Sequence, residues 1–300
     1  VGGAASQAAV RLAGAGATFP DGIYQRWFSM LAKSGGIKVN YQSIGSGGGR
    51  KAFLNETVAF GASDDPISDS DIKKVSRGVV QIPTVGGTIA VAYNKPGCSL
   101  KLTQKQAVDI FLGKITTWDQ LKCGKGKITV AHRSDGSGTT FAFTNSLSAF
   151  SSEWKSKVGE GKSVKWPVGV GGKGNEGVAG ILGITPGSIG YINQAFVKGK
   201  LKAAALQNKD GNYVLPTLAG GAAALNNIRL NADLAGEDAN PAGAKSYPIS
   251  TLTWILAYQK GNGAKAGKVR EAMLYLLGPA QNQADELGYV PLRGDILKRA

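Results

Sequence analysis

The sequence predicts an α/β protein of two domains, the first assembled from both ends of the chain. Three observations carry this reading. A strand, a glycine turn and a helix follow one another three times, the grammar of sheets that hold ligands beyond the carboxyl ends of their strands. Two long β-rich segments, 79–94 and 246–261, stand far apart, and each can cross from one domain to the other. The 300 residues also exceed the roughly 100–200 of one ordinary domain.

The first unit is VRLAGAGATFP, a strand and tight turn, followed by DGIYQRWFSMLAK with Ile23, Trp27, Met30 and Leu31 at helical spacing. In the second, KVNYQSIGSGGG alternates as a strand and RKAFLNETV is helical. VVQIPTVGGTIAVAYN (79–94) is the first crossing, and LKLTQKQAVDIFLGKITTWDQLK after it reads as a helix plus turn. The third unit is ITVAHRSDGSG with TTFAFTNSLSAF. SYPISTLTWILAYQKG (246–261) crosses back, and AGKVREAMLYLLGPAQNQADELGYVPL carries an amphipathic helix on Val269, Met273, Leu276 and Leu277. Roughly 90–250 is therefore expected to be inserted into a domain made by the two ends.

Charge is lopsided, 35 Lys and Arg against 20 Asp and Glu, net +15. That balance favours anionic partners. The lysines are spread along the chain, without the basic tract or interleaved aromatics of a nucleic-acid groove, so a basic surface near a small anion's site is expected. Glycine, 44 residues, is about twice its usual 7% share. Its clusters at 45–49, 168–174 and 218–223 have no common period and permit close backbone approach. No apolar run reaches the roughly 18–20 residues of a membrane span. The start, VGGAASQAAV, has no basic-plus-apolar signal segment, so either the protein is cytosolic or a signal was removed before Val1.

Familiar catalytic patterns fail. Gly169, Gly171 and Gly174 satisfy G-x-G-x-x-G, but IGYINQAFV, where the ribose-binding acid should stand, has no Asp or Glu. The phosphate-loop and G-x-S-x-G patterns are absent. Two cysteines and one histidine, His132, are too few for a Cys/His metal site. Cys98 and Cys123 would close a disulfide in an oxidising compartment and are otherwise two separate thiols. The five tryptophans are scattered, as packing residues are.

One stretch invites a ligand. In AHRSDGSGTTFAF (131–143) a strand delivers Arg133, Ser137 and Thr139 to the first turn of a helix. Such a turn has unpartnered N–H groups and partial positive charge, so these residue types make a socket for an oxyanion. Asp135 or Ser137 acting as a simple helix cap is the competing reading. His132 could face the socket, though a lone histidine is more often structural.

GAGATFP (14–20), YQSIGSGGG (41–49), FGASDDPIS (60–68), RSDGSGTTF (133–141) and KWPVGVGGKGNEGVAG (165–180), with FLGKITTWD, GSIGYI and YPIS, together resemble the periplasmic phosphate-binding proteins of Pst-type ABC transporters. The resemblance runs in order over nearly the whole chain. It implies a two-lobed, hinged periplasmic-binding-protein fold with the ligand in the cleft. On it, residues 1–88 plus 252–300 form lobe 1, 89–251 form lobe 2, and the hinge crossings lie near 83–92 and 247–255. Carried over by position, the phosphate contacts are Thr18, Phe19, Ser46, Asp64, Arg133, Ser137, Gly138 and Thr139. His132 departs from the pattern, standing where some relatives have a second basic residue, and the cysteine pair lies outside it. The resemblance further implies a monomeric periplasmic receptor rather than an enzyme, with no cofactor or metal and no nucleic-acid partner, serving membrane permease subunits.

The residues suit those roles. Backbone N–H groups of Phe19, Ser46, Gly138 and Thr139 with four hydroxyls can replace the water stripped from phosphate. Arg133 adds a bidentate fork, and Asp135 is placed to hold that fork. Asp64 is anomalous, since a carboxylate repels an anion. It makes sense as acceptor for the proton that phosphate carries at neutral pH and sulfate does not, which is selectivity by repulsion. Otherwise Asp64 would cap the helix starting near Asp69. The alternatives are a receptor for sulfate, arsenate or molybdate and, less favoured, a phosphatase.

Overall fold

The computed structural model describes residues 8–300. In chain order the elements of the first part are β1 (Val10–Gly16), α1 (Asp21–Gly35), β2 (Ile37–Ser43), α2 (Ser46–Leu54), β3 (Phe60–Ser63), α3 (Asp69–Ile72) and β4 (Val79–Asn94). The middle holds β5 (Lys101–Leu102), α4 (Gln104–Leu112), β6 (Thr129–Arg133), α5 (Gly138–Phe150), α6 (Ser152–Lys157), β7 (Val170–Gly172), α7 (Gly174–Ile184) and β8 (Ser188–Asn193). Then come β9 (Lys202–Ala203), β10 (Ala205–Gln207), β11 (Tyr213–Val214), α8 (Leu218–Leu225), β12 (Ser250–Tyr258), α9 (Ala266–Leu277) and α10 (Gly294–Arg299).

Among the described residues one nine-stranded sheet runs β2-β1-β3-β12-β4-β8-β6-β7, with β9 also on β4. β4 changes partners along its 16 residues: Val79 to Thr88 pair with β12, and Ile89 to Asn94 with β8. The strand thereby joins two halves, the lobes of the fold, one around β2-β1-β3-β12 and the other around β8-β6-β7. Glycine in mid-strand makes the join close. A β-carbon on Gly86 would lie 2.2 Å from Leu225 Cδ1, and one on Gly87 would lie 2.7 Å from Phe19 Cζ. Only hydrogen at those positions lets α8 and the Phe19 loop press on the crossing.

Local signals account for the helices that matter to the site. α1 has Asp21 in its first turn, Lys33 in its last, and ends at Gly36 in the left-handed region. It buries Ile23, Tyr24, Trp27, Phe28 and Leu31, whereas Met30, expected on that face, is 36% exposed. α2 begins at Ser46, not near Arg50, so the glycine cluster is itself the helix's first turn. It is glycine because the helix lies flat on the sheet: a β-carbon on Gly49 would sit 2.4 Å from Gly16 Cα. After Leu277 the amphipathic helix gives way to short 3-10 turns around Pro279.

Trp27, Trp118, Trp154 and Trp254 are fully buried, as packing residues should be. Cys98 and Cys123 form a disulfide, Cα atoms 5.4 Å apart. β4, β8 and β6 are in register at Asn94, Ser188 and Thr129. The disulfide follows Asn94 and precedes Thr129, so it sits at the end of these strands opposite Arg133.

Candidate functional site

The site lies where β1, β3, β6 and β7 end and the next segments turn away. Each contributing residue is almost fully buried: Thr18 3%, Phe19 0%, Ser46 1%, Asp64 2%, Arg133 4%, Ser137 0% and Thr139 1% exposed. The lobes touch here. Gly47 N–H donates to the Gly136 carbonyl at 2.9 Å, the Asn193 amide to the Phe19 carbonyl at 2.8 Å, and the Lys162 ammonium to Asp65 at 3.1 Å.

Helix geometry leaves the N–H groups of Ser46, Gly138 and Thr139 without an intrahelical carbonyl, since each stands in a first turn. The Phe19 carbonyl is held by Asn193 and by the Tyr289 hydroxyl at 2.7 Å, which fixes the TFP turn before α1. The hydroxyls share a pattern. Ser46 Oγ accepts from Asp64 N–H at 3.1 Å, Ser137 Oγ from Thr140 N–H at 2.9 Å, and Thr18 Oγ1 from Asn175 N–H at 3.1 Å. Each oxygen takes a hydrogen bond from the protein and keeps its own proton to give. Ser137 is thus the cap of α5 as well as a member of the cluster, so the two readings of the RSDGSGT stretch are compatible.

Arg133 and Asp135 are locked edge to edge, Nε to Oδ1 and Nη2 to Oδ2 both at 2.7 Å. Burial pulls the Asp135 carboxyl up, but the Arg133 guanidinium outweighs it and holds the group below the usual carboxylate range. Asp135 also accepts from Gly174 N–H at 3.2 Å. That edge uses the N–H of Nε and one of Nη2, and the two N–H groups of Nη1 with the second of Nη2 remain as an end-on fork for a ligand.

Asp64 does not cap the next helix; Ser68 does, accepting from Asp71 N–H. Asp64 Oδ1 instead accepts from the Thr253 hydroxyl at 2.7 Å, and Oδ2 from Thr139 at 3.4 Å. Burial pushes its pKa up to about 7 against the opposing pull of Thr253, Arg133 and Thr139. A carboxyl there is poised to hold or release a proton near neutrality. His132 is elsewhere: its ring stacks on Trp166, centroids 4.8 Å apart, with Nδ1 3.1 Å from the Arg133 carbonyl.

Every residue expected from the sequence is gathered into this one cluster or against it. Sequence reasoning missed Thr253, a threonine in a β-run with no distinguishing signal, and Asn175. The latter stood inside a quoted motif, just after a glycine of positive φ (Gly174, 73°) and at a helix start.

A family profile described as a PBP superfamily domain matches residues 3–276. The phosphate-binding protein PstS of Haemophilus influenzae is 42% identical, over 95% of this chain and 90% of that protein. The phosphate-binding protein PstS of Methanocaldococcus jannaschii is 36% identical, over 94% and 82%. Among solved structures, a phosphate-binding protein from Stenotrophomonas maltophilia superposes with a TM-score of 0.77 at 22% identity, covering 97% of this chain and 92% of that one. A Clostridium perfringens phosphate ABC transporter substrate-binding protein with bound phosphate gives 0.72 at 20%, covering 94% and 100%. These structures share the two-lobed fold.

Proposed function

We infer that this chain, which belongs to the phosphate-binding PstS proteins of the PBP superfamily, binds inorganic phosphate between its lobes and delivers it to an ABC transporter for import. The observation that carries the reading is Asp64, a buried carboxyl with a pKa near 7, set among protons offered by Ser46, Ser137, Thr18 and Arg133. Donors suit any oxyanion. One acceptor among them suits an oxyanion that still carries a proton. On this reading the contacts are Thr18, Phe19, Ser46, Asp64, Arg133, Ser137, Gly138 and Thr139, with Asp135 steering Arg133.

We place the lobe boundaries at residues 1–88 plus 252–300 and 89–251, supported by the change of partner along β4 at Thr88 and Ile89. The protein acts as a monomeric periplasmic receptor, without catalysis, nucleic acid or cofactor, engaging permease subunits at the membrane. The named relatives are binding proteins, and the only histidine is stacked on Trp166 rather than set beside a hydroxyl it could activate. Isothermal titration of the ligand-stripped protein tests the reading. Phosphate should bind at one site, arsenate should compete because it carries the same protons, sulfate should not, and phosphate esters should release nothing. Equal binding of sulfate, or no binding of phosphate, would overturn it.

A further inference from the structure

Asn175, the second residue of α7, is 1% exposed and spans both lobes. Its Oδ1 accepts from the backbone N–H of Asn193 at 2.9 Å. A backbone N–H can only donate, so this contact decides which end of the amide is oxygen. The amide nitrogen must then face two hydroxyls, Thr18 Oγ1 at 2.8 Å and Thr139 Oγ1 at 3.2 Å.

The consequence concerns protons. Thr18 Oγ1 receives two hydrogen bonds, from the side chain and from the backbone N–H of Asn175. Both lone pairs of that oxygen are occupied, and its one remaining capacity is to donate. Thr139 Oγ1 receives one and directs its own proton toward Asp64. A free hydroxyl rotates and serves as donor or acceptor. These two, one on each lobe, are denied that choice by a single amide.

We propose that Asn175 sets the hydrogen-bond polarity of the cleft without touching the ligand, holding the Thr18 hydroxyl as a donor toward a bound oxyanion and the Thr139 hydroxyl as a donor toward Asp64. The proposal rests on the phosphate reading above. Preorientation removes the cost of turning the hydroxyls when the anion arrives, and it leaves Asp64 as the acceptor. Asn175 is a positioning residue for affinity, and it joins the two lobes through the hydroxyls rather than through contacts of its own with ligand.

The test is a double-mutant cycle with phosphate titration. Asn175→Ala should weaken phosphate binding about 10- to 100-fold in the parent, in line with losing a buried, charge-directed hydrogen bond. In a Thr18→Val background, where no hydroxyl remains to orient at that position, the same change should cost only a few-fold. Asn175→Asp keeps the shape and the contact to Asn193 but replaces the donor with an acceptor, turning both hydroxyls toward itself. It should bind phosphate more weakly than Asn175→Ala, while thermal scans show it folded. Additive effects of Asn175→Ala and Thr18→Val, or Asn175→Asp binding as well as the parent, would overturn the proposal and leave phosphate binding standing. Failure of the unmutated protein to bind phosphate would overturn the underlying reading instead.

Discussion

Gly138 and Ser46 face each other across the cleft with no room for a methyl group between them: a β-carbon at 138 would lie 2.5 Å from Ser46 Oγ and 2.6 Å from Asp64 Cβ. Gly138 belongs to one lobe and Ser46 to the other, and its φ is not in the left-handed region. The glycine is therefore required by closure and not by backbone strain. Gly138→Ala should fold with a melting temperature within a few degrees of the parent yet hold the lobes apart. We expect about 100-fold weaker phosphate binding, and a radius of gyration by solution scattering that no longer shrinks when phosphate is added. Unchanged affinity would show that the lobes close without this contact.

Asp64 makes ligand-free stability depend on pH. Its pKa rises from 3.8 unfolded to about 7 folded, so between these values the native state holds more protons than the unfolded one. Stability from this group is fully present below pH 3.8 and is lost as pH rises through about 7. Asp64→Asn stays neutral throughout. Its melting temperature relative to the parent should be more favourable at pH 8 than at pH 5, and a difference independent of pH would refute the burial effect.

The same substitution probes selectivity. An amide in place of the carboxylate still offers an oxygen and a donor but no longer repels a fully ionised anion. Asp64→Asn should weaken sulfate exclusion more than phosphate binding, as read from paired titrations. Equal rejection of sulfate by parent and variant would remove Asp64 from the selectivity argument.

Arg133→Ala removes the remaining guanidinium donors and leaves Asp135 unpaired at the cleft wall. Phosphate affinity should fall about 30- to 1,000-fold, the range of a lost charge-assisted hydrogen bond plus the exposed carboxylate. Asp135→Asn should cost less, because the guanidinium survives. If Arg133→Ala bound normally, the arginine would serve only to secure β6.

The Cys98–Cys123 bridge closes a loop with a sequence separation of 25 residues, worth about 3 kcal/mol in the chain-entropy picture. It lies beyond the far end of β6, a strand whose five residues alone span about 13 Å up to Arg133 at roughly 3.3 Å per residue. Reduction should lower the melting temperature and leave phosphate affinity within about two-fold, a null on affinity that titration with and without reductant can check.

The strand, glycine turn and helix units were legible because their periodicity is local; the stretch around Arg133, Ser137 and Thr139 stood out by its residue types, whereas Thr18, Phe19, Ser46 and Asp64 entered only through the resemblance. What was hidden depends on partners distant in sequence. Met30 has helical spacing, yet the buried face of α1 is centred on Ile23, Tyr24, Trp27, Phe28 and Leu31, which leaves Met30 at its edge. The glycines of 45–49 suggested a loop, but a helix can begin on glycine when neighbouring backbone leaves no space for a β-carbon. Thr253 reaches Asp64 from 189 positions away, and nothing around it in sequence marks it. The Arg133 fork was foreseen, but how much of it Asp135 occupies depends on a rotamer.

The place of β12 has a consequence for synthesis. It lies in the sheet between β3 and β4, yet leaves the ribosome more than 150 residues after β4. At about 5–20 residues per second that gap is on the order of ten to thirty seconds. Throughout it, β3 and the first half of β4 have unpaired edges, whereas β8, β6 and β7 can already assemble on the second half of β4. The lobe made first is thus the last to be completed, and exposed strand edges await the other end of the chain.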